Sequence, residues 1–210
     1  MQIDFIADVV CPWCYLGWRR LHKALAMRPD IEAKVVWRPY QLDPSLPEEG
    51  VDRKAYMAAK FPDAERRGAI TKVLDDNAAE DGITWDLTAI KVSPNTNAAH
   101  RLIRWAQTAG CQDEVLEGVL AAYFSKGEDI GDPVVLADIG AAAGMDRLII
   151  LKLLSEGADK DTITREHQMA HEAGVSGVPF MIFDGKVAVS GAEPADRLVR
   201  AVDKAVELAA

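Results

Sequence analysis

The chain has 210 residues, of which 49% are hydrophobic, and a formal net charge of −9 at pH 7. This length and apolar content are sufficient for one large domain or two small ones with a buried core, and no stretch approaches the roughly 20 apolar residues of a membrane span. The negative charge argues against nucleic acid or an anionic membrane as a partner and is explained by solubility.

The amino-terminal part of the chain predicts a βαβ unit. Residues 2–8 form an apolar run typical of a strand, residues 12–27 have helical spacing, and residues 32–40 predict a second strand. In such a unit the two strands are parallel and the connection is right-handed. Residues 1–4 lack the basic and apolar segments of an export signal, so we expect a cytoplasmic protein.

The central part of the chain is predicted to be helical. Residues 43–50 contain two prolines and a glycine, which indicates a boundary between domains. From about residue 51 to residue 173 the apolar spacing is almost wholly helical, and no strong strand is predicted. Helix breaks are expected at Pro62, Gly82, Pro94, Gly110, residues 127–133, Gly144 and Gly157.

The carboxyl-terminal part returns to a mixed pattern. Residues 180–183 and 186–190 predict two strands, and Asp184-Gly185 between them is typical of a hairpin turn. Pro194 then begins an amphipathic helix. Its predicted buried residues are Leu198, Val199, Val202 and Val206. The order along the chain is therefore βαβ, a helical insertion, and ββα.

Two of the three cysteines lie together in Cys11-Pro12-Trp13-Cys14, where the first strand turns into the first helix. If Cys11 precedes the helix and Pro12 is in its first turn, the Cys11 sulfur faces unpaired backbone N–H groups at the positive end of the helix dipole. These groups favour a thiolate, so we predict that Cys11 is a redox nucleophile. Cys14 shares one helix face with Trp18, Leu21 and Leu25. It should therefore lie against the core as the resolving thiol.

Other interpretations of the cysteines are weaker. A structural disulfide between Cys11 and Cys14 would close too short a loop to stabilise much. A zinc site needs four ligands, and the remaining candidates, His167 and His171, are predicted on the exposed face of a remote helix. Cys111 stands alone in the insertion and is expected to be an inert small residue. We therefore expect no metal.

The motifs along the chain resemble those of the FrnE-like branch of the DsbA-family thiol oxidoreductases. They are DVVCPWCYLG at residues 8–17, PNT at 94–96, AHRL at 99–102, AYF at 122–124, GVPF at 177–180 and SGA at 190–192. The resemblance covers nearly the whole chain. It implies an α/β fold with a thioredoxin-like domain of residues 1–45 and 174–210, interrupted by an all-helical domain of residues 46–173.

The resemblance also implies a substrate-binding surface. The Val178–Pro179 peptide bond is expected to be cis and to face the thiols, so that an extended peptide or glutathione could pair with the backbone of Val178. Trp13 is expected to be exposed and to offer an apolar contact. Asp8 either accepts protons during exchange or caps the loop.

The resemblance places the segment that contains Asn95 and His100 over the redox site. Both residues are then candidates for substrate contact. By residue type alone, Asn95 is equally suited to cap the helix that follows it, so both interpretations stay open.

The predicted function is disulfide exchange through Cys11 and Cys14 with protein, peptide or low-molecular-weight thiols. No cofactor is required, glutathione is a possible co-substrate, and the chain is expected to be a monomer or a homodimer. A first alternative is a glutathione-dependent isomerase or transferase, because 2-hydroxychromene-2-carboxylate isomerase and the kappa-class glutathione transferases resemble the same architecture. Those enzymes are expected to have serine at the position of Cys11. A second alternative is a chaperone-like protein whose helical insertion binds clients.

Overall fold

The computed structural model describes residues 1–209 as two units. One unit consists of residues 1–40 and 165–209, and the other consists of Gln41–Thr164. The return to the first unit therefore lies earlier than the predicted boundary at residue 174. The physical reason is that the end of the last inserted helix packs within the first unit, where the His167 ring contacts Tyr40.

The elements follow one another along residues 1–209 in this order: β1 (Gln2–Ala7), α1 (Pro12–Ala26), β2 (Lys34–Pro39), β3 (Val51–Asp52), α2 (Arg53–Lys60), α3 (Ala64–Glu80), β4 (Val92–Ser93), α4 (Asn97–Ala109), α5 (Gln112–Phe124), α6 (Pro133–Ala142), α7 (Arg147–Ser155), α8 (Lys160–Glu172), β5 (Phe180–Phe183), β6 (Val187–Ser190) and α9 (Ala195–Glu207). Among these described residues, no helix is both long enough and apolar enough to cross a membrane.

The first unit contains a four-stranded sheet in the order β2-β1-β5-β6. β1 and β2 are parallel, with Phe5 opposite Trp37. β5 is antiparallel to both β1 and β6. This arrangement confirms the predicted α/β, thioredoxin-like order of βαβ followed by ββα.

Aromatic packing joins β1, α1 and β2. The Phe5 side chain is fully buried, and its ring centroid lies 5.6 Å from that of Trp18 and 5.5 Å from that of Trp37. Burial of each such side chain contributes about 1.5–3 kcal/mol. On α1, the predicted inner face is correct for Trp18 and Leu21, whereas Leu25 is only half-buried.

The predicted buried face of α9 is wrong at Val206, and Val199 is only half-buried. The buried residues are Leu198, Ala201, Val202 and Ala205, whereas Val206 is 39% exposed. At 3.6 residues per turn, position 206 is rotated about 80° from Leu198 and position 205 only about 20°. The face therefore continues through Ala205, whose small side chain gives only a weak apolar signal in the sequence.

The second unit is helical as predicted, and the expected glycine and proline breaks fall between helices or at their ends. The prediction that this unit is all-helical is wrong at one place, because β3 pairs with β4 in an antiparallel ladder. Each of these strands has only two residues. Such short strands produce no alternating pattern that a sequence could reveal.

A glycine allows α1 to approach the segment before β5. A Cβ on Gly17 would lie 2.8 Å from Cγ of Pro179, whereas a Cβ on Gly68 in α3 would meet no atom within 4 Å. In a helix, alanine is more favourable than glycine by up to about 1 kcal/mol. At Gly17 the overlap with a rigid proline ring opposes this gain, at a cost of about 1–3 kcal/mol.

We therefore expect opposite effects of the same substitution at these two glycines. Gly68→Ala should raise the free energy of unfolding by about 0.5–1 kcal/mol, and Gly17→Ala should lower it by about 1 kcal/mol. Urea denaturation of the reduced proteins measures both values. Equal stabilisation by the two substitutions would show that the contact between α1 and Pro179 is not close in solution.

Candidate functional site

Cys11 is the residue that precedes α1. Its backbone is extended, with φ −89° and ψ 114°, and Pro12 occupies the first turn of the helix. The Cys11 N–H donates to the Asp8 carbonyl at 3.1 Å, and the Cys11 carbonyl accepts from Cys14 N at 2.9 Å. The Cys11 side chain makes no capping hydrogen bond, and the residue is 5% exposed. Its sulfur is therefore held at the start of the helix, as the sequence predicted.

The loop before β5 supplies the neighbour of Cys11. The Cys11 Sγ donates to the Val178 carbonyl at 3.8 Å, and the Val178–Pro179 peptide bond is cis. The Pro179 carbonyl accepts from Gly191 N at 2.8 Å, which fixes the loop to the end of β6. The close approach at Gly17, which sequence reasoning did not single out, completes this arrangement. Its only sequence signal is a glycine inside a helical pattern.

Cys14 is fully buried and lies next to Cys11. Burial raises the pKa of the Cys14 thiol well above its usual value, and a hydrogen bond between the two cysteine side chains raises it further. Both cysteines are free thiols. The two sulfurs are therefore in contact but have different surroundings, because the Cys11 sulfur is at the start of the helix and the Cys14 sulfur is inside the core.

Asp8 and Tyr40 lie at the ends of the two parallel strands. Tyr40 N donates to the Ala7 carbonyl at 2.9 Å, so the two residues that follow β1 and β2 are neighbours. Asp8 is buried. Burial raises the pKa of Tyr40, and the Asp8 charge raises it further and also contributes to the raised pKa of Cys14. Sequence reasoning missed Tyr40, although the carboxyl ends of neighbouring parallel strands meet at one edge of a sheet.

The predicted exposure of two side chains near this edge is wrong. His167 is buried, with its ring centroid 5.0 Å from that of Tyr40 and 4.9 Å from that of His171, whereas His171 itself is exposed. Trp13, which was expected to be exposed, is half-buried. The helical pattern alone could not place His167, because its burial depends on a strand end that is distant in sequence.

Asn95 and His100 belong to the second unit, whereas the two thiols, Trp13, Val178 and Pro179 belong to the first. Asn95 Oδ1 accepts from Asn97 N at 3.0 Å and from Gln41 Nε2 at 3.1 Å. Asn95 Nδ2 donates to the Leu46 carbonyl at 2.6 Å. These bonds give Asn95 a structural role at the start of α4.

His100 lies one turn further along α4 and is buried. Contact of Asn95 or His100 with a substrate stays a prediction.

Cys111 precedes α5 and is half-buried. Burial raises the pKa of the Cys111 thiol, and the neighbouring Glu114 raises it further. This environment favours the neutral thiol, in keeping with an inert residue. Within residues 1–209, no group of three or more His, Cys, Asp and Glu side chains is placed to hold a metal ion.

Solved structures with the same architecture include several thiol oxidoreductases. A probable DsbA oxidoreductase from Streptomyces coelicolor is 28% identical, with a TM-score of 0.90 over 99% of this chain and 90% of its own. The cytosolic disulfide reductase DsbM from Pseudomonas aeruginosa, solved with GSH, is 15% identical, with a TM-score of 0.63 over 100% and 98% of the two chains.

A 2-hydroxychromene-2-carboxylate isomerase is 20% identical, with a TM-score of 0.68 over 100% of this chain and 96% of its own.

Among curated proteins, none matches the sequence. The family model of the DSBA-like thioredoxin domain matches residues 2–203, which is nearly the whole chain. Together with the DsbA oxidoreductase from Streptomyces coelicolor, this match supports a thiol oxidoreductase in general. The chain belongs to the family of DSBA-like thioredoxin domains.

Proposed function

We propose that the protein exchanges disulfides with protein, peptide or low-molecular-weight thiol substrates through Cys11 and Cys14. The motifs at residues 8–17 and 177–180 support membership of the FrnE-like branch, and a cytoplasmic location is part of the same proposal. One neighbour in fold, DsbM, is described as a cytosolic disulfide reductase.

The observation that carries this proposal is that the two adjacent thiols have different surroundings. Cys11 is at the start of α1, where backbone dipoles favour an anion. Cys14 is fully buried, and burial raises the pKa of its thiol. A dithiol of this kind has one sulfur that is ready to attack and one that stays protonated until it is needed.

The exchange proceeds through a mixed disulfide in two displacements. The Cys11 thiolate attacks one sulfur of a substrate disulfide, forms a bond to it and releases the other substrate sulfur as a thiolate. Cys14 then loses its proton and attacks the Cys11 sulfur, which releases the second substrate thiolate and leaves a Cys11–Cys14 disulfide. Two electrons have passed to the substrate, and the reverse sequence oxidises a substrate dithiol.

The proton that Cys14 loses has an acceptor close by. The Asp8 side chain is buried and near enough for its charge to raise the pKa of Cys14. We propose that Asp8 accepts this proton in the second displacement and returns it in the reverse direction, which is one of the two roles its position in the sequence allowed.

The backbone beside Cys11 supports binding of an extended substrate. The Val178 carbonyl faces the Cys11 sulfur, and a peptide laid along this loop as an added strand would bring its own sulfur to the same place. The exposed part of Trp13 offers an apolar contact. Glutathione is a candidate for the low-molecular-weight substrate, and the related structure of DsbM was solved with GSH.

Cys14→Ser should trap the substrate on the protein. Without the resolving thiol, the mixed disulfide at Cys11 persists, so incubation with a disulfide-containing peptide should increase the mass of the protein by one peptide thiol. Mass spectrometry measures the adduct, and its loss on adding dithiothreitol shows that it is a disulfide.

Two matched variants complete this experiment. Cys11→Ser should form no adduct and should reduce insulin only at the uncatalysed rate, whereas Cys111→Ser should match the wild type in both assays. Wild-type insulin reduction by Cys11→Ser would contradict the proposed nucleophile. Isomerisation of 2-hydroxychromene-2-carboxylate by Cys11→Ser with glutathione would favour the isomerase alternative instead.

Without the Asp8 carboxylate, release of the substrate from Cys11 should depend steeply on pH. Because the pKa of Cys14 is raised by burial, the thiolate fraction that forms by loss of a proton to water grows about tenfold for each pH unit below that pKa. In Asp8→Asn, the rate at which a chromogenic thiolate leaves its mixed disulfide with Cys11 should rise with this slope through neutral pH, whereas the wild type, in which the proton passes to Asp8, should show a much weaker dependence. Stopped-flow absorbance measures both rates, with Cys14→Ser as the blank. The full slope in the wild type would contradict Asp8 as the acceptor, and a plateau in Asp8→Asn below the usual thiol pKa would show that Cys14 is not buried in the intermediate.

A further inference from the structure

A buried arginine lies on α1, three residues after Gly17. Arg20 is only 7% exposed, although arginine is among the residues that are least often buried in proteins. A guanidinium group leaves water without a large cost in free energy only when its N–H groups find acceptors. The burial of Arg20 therefore indicates that its hydrogen bonds have a definite place in the fold.

Arg20 binds a segment that is distant in sequence. Its Nη1 donates to the Ala192 carbonyl at 2.6 Å, and the two residues are 172 positions apart. Ala192 lies between β6 and α9, outside both elements. Because a hydrogen bond from a charged donor is about twice as strong as one between neutral groups, α1 holds this segment firmly.

The residue before this carbonyl, Gly191, belongs to the surroundings of the thiols. Gly191 N donates to the Pro179 carbonyl at 2.8 Å. The ladder between β5 and β6 ends with Phe180 opposite Ser190, so this bond lies one step beyond the ladder. Since the ladder no longer holds the chain here, the guanidinium bond to the next residue acts as a separate anchor.

Two successive turns of α1 hold this part of the chain. On the first turn, Gly17 admits the Pro179 ring, because a Cβ at this position would lie 2.8 Å from Cγ of the proline. On the next turn, Arg20 binds the segment after β6. The backbone fixed in this way leads to the Val178 carbonyl, which accepts from Cys11 Sγ at 3.8 Å. The position of this backbone relative to the sulfur therefore depends on both contacts.

We propose that Arg20 is a positioning residue that makes the dithiol selective for disulfides carried by a peptide. This role rests on the proposed function, in which an extended peptide pairs with the backbone of Val178 as an added strand. Such pairing requires that the backbone groups of the loop stay in place, since a hydrogen bond weakens steeply when its geometry is distorted. Arg20 holds these groups through Ala192 and Gly191.

A small disulfide without a peptide backbone does not use this surface. Hydroxyethyl disulfide has no amide groups, so it reaches the Cys11 sulfur without pairing with Val178. Loss of the anchor should therefore slow exchange with a peptide disulfide and leave exchange with hydroxyethyl disulfide unchanged. The ratio of the two rate constants separates positioning of the loop from a general loss of structure or of thiol reactivity, which would slow both reactions.

Adduct formation in the Cys14→Ser background measures the first displacement alone. The second-order rate constant for each disulfide is followed by mass spectrometry. Arg20→Met keeps a long side chain and removes the donors, and it should lower the ratio of the peptide rate constant to the hydroxyethyl disulfide rate constant about tenfold. The matched control is Arg19→Met, which changes the neighbouring exposed arginine of the same helix and should leave the ratio unchanged.

A second variant disturbs the same backbone and leaves the arginine in place. Gly191→Ala puts a Cβ into open space on a residue with a φ of +89°, where the left-handed backbone is strained for alanine. This variant should lower the ratio as well. Gly144→Ala in the second unit introduces the same strain, with a φ of +91° and open space, and should leave the ratio unchanged. Circular dichroism confirms that the variants fold.

An unchanged ratio in Arg20→Met or in Gly191→Ala would overturn the proposal, and so would an equal fall in Arg19→Met. A fall of both rate constants together in Arg20→Met would also overturn it, because the role of this arginine would then be structural alone. Absence of an adduct with either disulfide in the Cys14→Ser parent would contradict the proposed function itself, so the two failures are distinguished.

Discussion

The chemistry of the dithiol depends on the burial of one of its two sulfurs. Cys14 lies on the inner face of α1 with Trp18, whose ring packs on Phe5 of β1. The hydrophobic packing that holds the helix on the sheet is thus the same packing that raises the pKa of Cys14. Any change that loosens α1 from β1 should admit water to Cys14 and reduce the difference between the two thiols.

The second requirement is that a separate part of the chain reaches the start of α1. Residues far apart in sequence meet there, since the Val178 carbonyl accepts from Cys11 and the Pro179 ring lies against Gly17. A side chain at Gly17 would occupy the space that the proline ring fills. Access of a substrate backbone to the Cys11 sulfur therefore depends on a residue that takes no part in the reaction.

The sequence predicted the elements of the first unit because their signals are local: an apolar run before Cys11, Pro12 in a first turn, and Asp184-Gly185 in a hairpin. What it missed depends on distant contacts. His167 is buried because its ring packs against Tyr40, which follows a strand more than a hundred residues earlier. The two-residue strands β3 and β4 likewise exist only as a pair.

In the helical unit, the sequence predicts where helices begin and end but not which of their apolar residues are buried. The glycine and proline breaks of residues 51–173 were legible, but the apolar spacing of α3 does not show which of its apolar residues are covered. Only burial separates Leu74, which packs within its unit, from Val73, which does not.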